Sequence, residues 1–295
     1  MIPADRVDSP DDVERLLGET GYLCSPELAA VVFLAMKMHR PLLLEGEPGT
    51  GKTALAEAVA TAWQLPLLRL QCYEGIDSTQ ALYDWDFPRQ ILHLRALEAA
   101  GAVDAAEAEK GLFDERFLLP RPVLQALRQA PTVLLIDEVD RADDEFEAFL
   151  LEVLSTNQVS IPEIGAVRAS VPPVVVLTSN RTRELHDALK RRCLYHWVEH
   201  PGLERELQIV HSRAPEVSRE LAAQVVRVVQ EVRLEEHALL KPPGVAETLD
   251  WAKALHYLQT VELNLEAAAV TLGALVKYHE DAERVSRAME QILGS

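Results

Sequence analysis

The chain is poor in the residues that build stapled or metal-templated folds. Cysteine occurs three times in 295 residues, as Cys24, Cys72 and Cys193, never with C-x-x-C spacing. An odd, scattered set excludes a disulfide framework and a cysteine-built zinc site, and it points to a reducing compartment, the cytoplasm. The three thiols read as small buried hydrophobes. The nine histidines supply no H-x-x-x-H on a helix. His196 and His200 have that spacing, but LYHWVEH reads as a strand and separates them too far to chelate, so no protein-built metal site is expected. Apolar runs stay well short of the roughly 18 residues that span a membrane. The first residues, MIPADRVDSPDDVERL, are acidic and lack the apolar region of a secretory leader. Basic residues are outnumbered 29 to 47, a net charge of −18, which opposes nucleic acid as a general partner because that binding leans on phosphate neutralisation. No N-K-x-D marks guanine specificity, and no internal repeat or low-complexity segment is visible.

Hydrophobic residues at 48% and charged residues at 26% are those of a globular protein, and the length suits one large or two ordinary domains. The most informative stretch is Gly46-Glu47-Pro48-Gly49-Thr50-Gly51-Lys52-Thr53, followed by Ala54. It matches G-x-x-x-x-G-K-[ST], a pattern expected by chance on the order of once in a hundred chains of this length. Its context fits as well: the apolar run Pro41–Leu44 precedes it and the alanine-rich stretch Ala54–Trp63 follows. The glycines let consecutive backbone N–H groups turn inward around phosphates, and the following helix N-terminus favours the anion. Lys52 is placed to reach β- and γ-phosphates, and Thr53 to offer its hydroxyl to Mg²⁺.

A second element, Thr132–Asp140, reads TVLLIDEVD, an apolar strand ending in Asp137 and Glu138. A strand with an acidic end is commonplace by itself. Downstream of a phosphate loop it acquires roles: Asp137 for the Mg²⁺ shell, and Glu138 to orient and deprotonate an attacking water.

Along the chain, helices are expected at Asp11–Leu17, from Ser25-Pro26-Glu27 to about Met38, at Pro122–Arg128 and at Asp143–Leu154. Strands are expected at Leu65–Gln71 and Val174–Leu177, with a hairpin over Val159–Ala169. A basic helix over Glu184–Arg192 leads to a last strand, Leu194–Glu199. About sixty residues separate Gln71 from Val133, far more than a helical crossover needs. This insertion carries Tyr83, Trp85 and Phe87, read as packing aromatics, and a helical period over Arg89–Lys110. Beyond His200-Pro201-Gly202 only helices are suggested, near Leu203–Ser212, Ser218–Val232, Val245–Leu258, Leu265–His279 and Asp281–Leu293. The organisation expected is an α/β domain over 1–200, with a helical insertion near 76–118 and the hairpin near 159–169, then a helical domain over 201–295.

The phosphate loop, the Asp-Glu strand end, a strand ending in Thr178-Ser179-Asn180, a basic helix and a helical lid together resemble the AAA+ ATPases. DEVDRA at 137–142 and FEAFLLEVLSTNQVSIPEIG at 146–165 are similar to the MoxR branch. RLQCYEGID at 69–77, ALYDWDFPRQ at 81–90 and LTSNRTRELHDALKRRCLYHWVEHP at 177–201 resemble its CoxD-type group, associated with maturation of molybdenum-containing carbon monoxide dehydrogenase. The resemblance implies an α/β P-loop fold with a parallel sheet and a lid, ATP and Mg²⁺ as cofactors, and a homo-oligomeric ring, most often a hexamer. It puts Asn180 on the family's polar sensor and Arg192 on its arginine finger, with Arg191 as the competitor one residue away. It also implies a client protein, engaged through a von Willebrand factor A adaptor or as a molybdenum enzyme, and remodelled by ATP hydrolysis. One family feature is missing: no arginine follows Gly244 at the start of a lid helix, where Lys241 or Lys253 could substitute. A P-loop small-molecule kinase and a nucleic-acid-directed motor are the competing classes.

Overall fold

The computed structural model describes residues 3–99, 111–234 and 237–294. Two compact units form. One, the sheet unit, combines the N-terminal segment through Val13 with Pro26–Glu45 and Val59–His196; the other, the helical unit, combines Glu14–Ser25, Gly46–Ala58 and the chain from Trp197 onward.

The sheet unit is built on five strands: β1 (Leu42–Glu45), β2 (Leu67–Gln71), β5 (Val133–Asp137), β8 (Val174–Ser179) and β9 (Leu194–Trp197), in the spatial order β2-β5-β8-β1-β9. The pairs β2/β5, β5/β8 and β1/β8 are parallel. β1 and β5 are buried along their whole length, which is why both read as apolar runs up to their acidic last residues, Glu45 and Asp137. Register pairs Gln71 with Asp137 and Ile136 with Leu177, so the carboxyl ends of β2, β5 and β8 finish side by side. After β1 the chain leaves for the far edge at β2, and the crossover to β9 later passes β1 again. Such a reversal of strand order is where open α/β sheets bind ligands. Leu43, Leu70, Ile136, Phe146, Leu150 and Leu177 anchor the core, each contributing about 1.5–3 kcal/mol by burial.

Two small sheets flank the five strands. In the insertion, β3 (Tyr83–Trp85) pairs antiparallel with β4 (Leu118–Pro120). Tyr83 and Trp85 pack against the core, and Trp85 meets Phe113 edge-on at 5.3 Å. Phe87 departs from expectation: it opens the helix Phe87–Ala99 and is 57% exposed. The rest of the helical period expected over Arg89–Lys110 lies outside the described residues. The hairpin is present as β6 (Gln158–Ile161) and β7 (Gly165–Arg168).

The basic helix expected over Glu184–Arg192 is a single turn, Asp187–Lys190. Tertiary partners take the backbone groups a longer helix would use. The buried Glu147 carboxylate accepts the His186 N–H at 2.9 Å, and Arg40 donates to the carbonyls of Arg191, Arg192 and Cys193. In the helical unit the helices are Leu203–Arg213, Arg219–Val232, Val245–Tyr257, Leu265–Leu275 and His279–Leu293. The fourth stops four residues before the expected His279, because Val276 is extended and Lys277 Nζ caps the carbonyls of Gly273 and Ala274 at 3.1 and 3.0 Å. Their apolar faces close on Trp251, whose Nε1–H donates to Thr271 Oγ1 at 2.7 Å. Among the described residues no helix is long and apolar enough to cross a membrane.

Candidate functional site: a phosphate loop and an acidic strand end

The phosphate loop begins where β1 ends, and Gly46–Ala58 belong to the helical unit. Two glycines are required by geometry. A Cβ on Gly46 would collide with the Val198 carbonyl, and Gly49, at φ +80°, would bring a Cβ within 3.0 Å of Gly244 Cα. Thr50 Oγ1 donates to the Glu47 carbonyl at 2.9 Å and closes the turn. Glu47 is exposed; Pro48, Gly51, Thr53 and Ala54 are half-buried. The helix Lys52–Trp63 starts at the lysine itself, so its N-terminal end lies at the loop. The buried Lys52 ammonium donates to the carbonyls of Gly46 at 2.8 Å and Glu47 at 2.7 Å. Tyr22 OH reaches the Gly51 carbonyl at 3.5 Å, and burial pushes its phenol above the usual range.

The sequence contained no signal for what meets this loop from the helical side. The helix Val245–Tyr257 docks its N-terminus on it: Val245 N–H donates to the Gly49 carbonyl at 3.0 Å, and a Cβ on Gly244 would lie 2.7 Å from Gly49 Cα. Behind that turn, Arg233 donates to the Pro243 carbonyl at 2.6 Å and forks onto the buried Glu206 at 2.6 and 2.7 Å. Thr248 Oγ1 adds a 2.6 Å bond to the same carboxylate. His200 sits in this neighbourhood with neither ring nitrogen hydrogen-bonded among the described residues. Burial, then the Arg233 charge, lowers its pKa to about 4.

The acidic strand end belongs to the sheet unit and is assembled by residues far apart in sequence. Asp137 is buried; its Oδ1 accepts from Thr178 Oγ1 at 2.6 Å and its Oδ2 from Arg69 at 2.5 Å. Glu138 adopts a left-handed backbone, φ +53°, with its N–H on Thr178 Oγ1 at 2.9 Å. Its carboxylate accepts from Gln71 Nε2 at 3.2 Å, Arg141 at 3.3 Å and Asn180 Nδ2 at 3.5 Å. Asp140 binds the chain after β8: it accepts from the N–H of Asn180 at 3.2 Å and from both N–H and hydroxyl of Thr182 at 2.7 Å. Asn180, Asp137 and Glu138 are therefore brought together. Arg191 and Arg192 are not part of that cluster. Both are exposed, and the Arg192 guanidinium rests on Ser155 Oγ. The buried Cys72 thiol registers the local negative field: burial, then Asp137, Asp140 and Glu138, raise it to about 12. Arg69, Gln71, Asp140, Arg141 and Thr178 were not singled out from sequence, since each is an ordinary residue until the sheet pairs it.

Each unit carries hard oxygen of the kind magnesium takes, the Thr53 hydroxyl in the helical unit and the Asp137 carboxylate in the sheet unit. Among the described residues no cluster of three or more His, Cys, Asp or Glu side chains is arranged to hold a metal.

A parallel five-stranded sheet carrying a phosphate loop after β1 and an acid pair after β5 defines a P-loop nucleotide-binding protein of the AAA+ class. The profile of the AAA domain (dynein-related subfamily) matches residues 41–193, and the chain belongs to that family. It is 27% identical over 177 residues to the uncharacterized protein YehL of Escherichia coli (strain K12), covering 57% of this chain and 44% of that one. It is 26% identical over 246 residues to the ATP-dependent zinc metalloprotease FtsH of Sulfurovum sp. (strain NBC37-1), covering 75% and 31%. Similarity to the uncharacterized protein YojN of Bacillus subtilis (strain 168) is 27% over 205 residues, covering 66% and 59%. The chain thus spans less than half the length of the first two relatives.

Proposed function

We propose that this protein hydrolyses ATP with Mg²⁺ in a ring of identical subunits, most often a hexamer, and uses the turnover to remodel a client protein. The carrying observation is the Glu138 carboxylate held at a strand end by Asn180, in a chain whose Lys52 ammonium lies on the carbonyls of a phosphate loop. Lys52 transfers from those carbonyls to β- and γ-phosphate oxygens, and the first-turn amides of its helix bind the same anion. The Thr53 hydroxyl and, through water, Asp137 would hold magnesium, which would supply charge neutralisation on the phosphates. Glu138 takes the proton of the attacking water while Asn180 orients the water or the γ-phosphate.

The exposed Arg192, or Arg191 beside it, serves a neighbouring subunit as a finger, a role worth about 10³–10⁵ in turnover. The nucleotide domain is 1–200 and the lid 201–295. The insertion near 76–118 and the hairpin near 159–169 engage the client, which on the MoxR and CoxD-type resemblance is a molybdenum-type metalloenzyme under maturation in the cytoplasm, with or without a von Willebrand factor A adaptor.

Phosphate release measured with Mg²⁺ and ATP tests this reading. Lys52→Ala should abolish nucleotide binding, whereas Glu138→Gln should bind ATP and lose about 10²–10⁴ in turnover. Mixing Arg192→Ala with Lys52→Ala subunits should restore part of the activity, because intact loops again meet intact fingers. Phosphate transfer to a small acceptor without water-dependent release would overturn the proposal.

A further inference from the structure

β2 alternates Arg69 out, Leu70 in, Gln71 out, so Arg69 and Gln71 share one face of the sheet. Register sets Gln71 directly beside Asp137. From two residues earlier, Arg69 reaches the same strand end. One nitrogen of its guanidinium binds Asp137 Oδ2 at 2.5 Å and Gln71 Oε1 at 2.9 Å. Asp137 is buried and Arg69 is half exposed. A buried carboxylate demands compensation, and the Thr178 hydroxyl and a cation on a long, half-exposed side chain contribute to it.

The second contact has a consequence. Arginine only donates, so the Gln71 amide must present its oxygen to Arg69, which leaves its NH₂ facing Glu138 Oε2 at 3.2 Å. Arg69 thus touches Asp137 directly and orients the amide that holds Glu138.

We propose that Arg69 is a positioning residue that competes with a cation for Asp137: its guanidinium holds Oδ2 and must be displaced when magnesium arrives with nucleotide. It sets the magnesium concentration at which nucleotide is taken up, and its departure loosens Gln71 from Glu138. The proposal rests on the ATPase reading above, in which Asp137 serves the metal.

The test is a magnesium titration of fluorescent ADP binding to the full chain, a readout without turnover. Arg69→Gln should lower the half-saturating Mg²⁺ by about three- to tenfold, the scale of a half-exposed ion pair. Arg69→Lys, which keeps the charge, should stay within about twofold of wild type on the same scale. Arg69→Met keeps the aliphatic stem and serves should Arg69→Gln fold poorly. An unchanged or raised half-saturation in the uncharged variants, with normal ADP binding at high Mg²⁺, overturns the role of Arg69 and leaves the ATPase reading standing. Nucleotide binding by wild type that ignores magnesium altogether overturns the role of Arg69, while the ATPase reading stands or falls on phosphate release. A purely structural Arg69 would lower the melting temperature and leave the magnesium curve where it was.

Discussion

The phosphate loop and the acidic strand end are built in opposite ways. The loop is local: Lys52 bonds carbonyls five and six residues back, and Thr50 bonds Glu47 three residues back. The strand end is distant: Arg69 and Asp137 are 68 residues apart, Gln71 and Glu138 67, Thr178 and Asp137 41, Asp140 and Thr182 42. A loop closed by short-range side-chain bonds carries much of its geometry in its own eight residues, with distant contacts such as Val245 N–H on the Gly49 carbonyl added to them. An acid pair set by neighbouring strands depends on the whole sheet being in register. Damage to distant packing should therefore reach the acids before it reaches the loop.

The sharpest way to break this contrast is Asp140→Ala. It removes the carboxylate that accepts from the half-buried Asn180 N–H and from the N–H and hydroxyl of the exposed Thr182, and a hydrogen bond to a charged group contributes about 1.5–3 kcal/mol. Thermal unfolding should fall on the order of 10 °C, and Asn180 should lose its place beside Glu138. Turnover should then drop further than nucleotide affinity. Equal loss of both would mean that the loop depends on the acidic end as much as the acids do.

Gly244→Ala sharpens the comparison from the loop's side, since the contact of Gly244 with Gly49 is one of its long-range contacts. The added methyl lies 2.7 Å from Gly49 Cα, and relieving such a clash costs about 1–3 kcal/mol. Nucleotide affinity should fall while the stability of the sheet unit, followed by hydrogen exchange, stays near wild type. Unchanged affinity would show that the docked helix does not matter to the loop.

The smallest effect concerns pH. The folded pKa of His200, about 4, lies below its ordinary 6.5, so the unfolded chain binds a proton that the folded chain refuses between those values. The contribution of neutral His200 is complete above pH 6.5 and is lost as pH falls towards 4. His200→Gln should flatten the decline in melting temperature across that window relative to wild type. Parallel declines would place the acid sensitivity with other groups.

Much of the architecture was legible because it is written in short-range chemistry. Asp143 caps the helix Asp144–Thr156 through the Phe146 N–H, and Ser218 caps Arg219–Val232 through Leu221. The strand, loop and helix around Lys52 follow from an apolar run, three glycines and an alanine-rich stretch. Sequence overran where distant side chains intervene, as at Asp187–Lys190, where Glu147 and Arg40 capture the backbone of a longer basic segment. It also misjudged Phe87, whose alternation with Tyr83 and Trp85 ends when the chain turns into a helix.

The sequence by itself determined the phosphate loop, the acid pair and the succession of elements, because a few adjacent residues dictate each. Only the tertiary structure decided that Arg69 occupies Asp137, that Asp140 binds the chain after β8, and that a helix N-terminus meets Gly49. Each of those pairings joins residues whose identities are unremarkable alone, and strand register or helix docking, neither encoded within any short window, brings them within a hydrogen bond of one another.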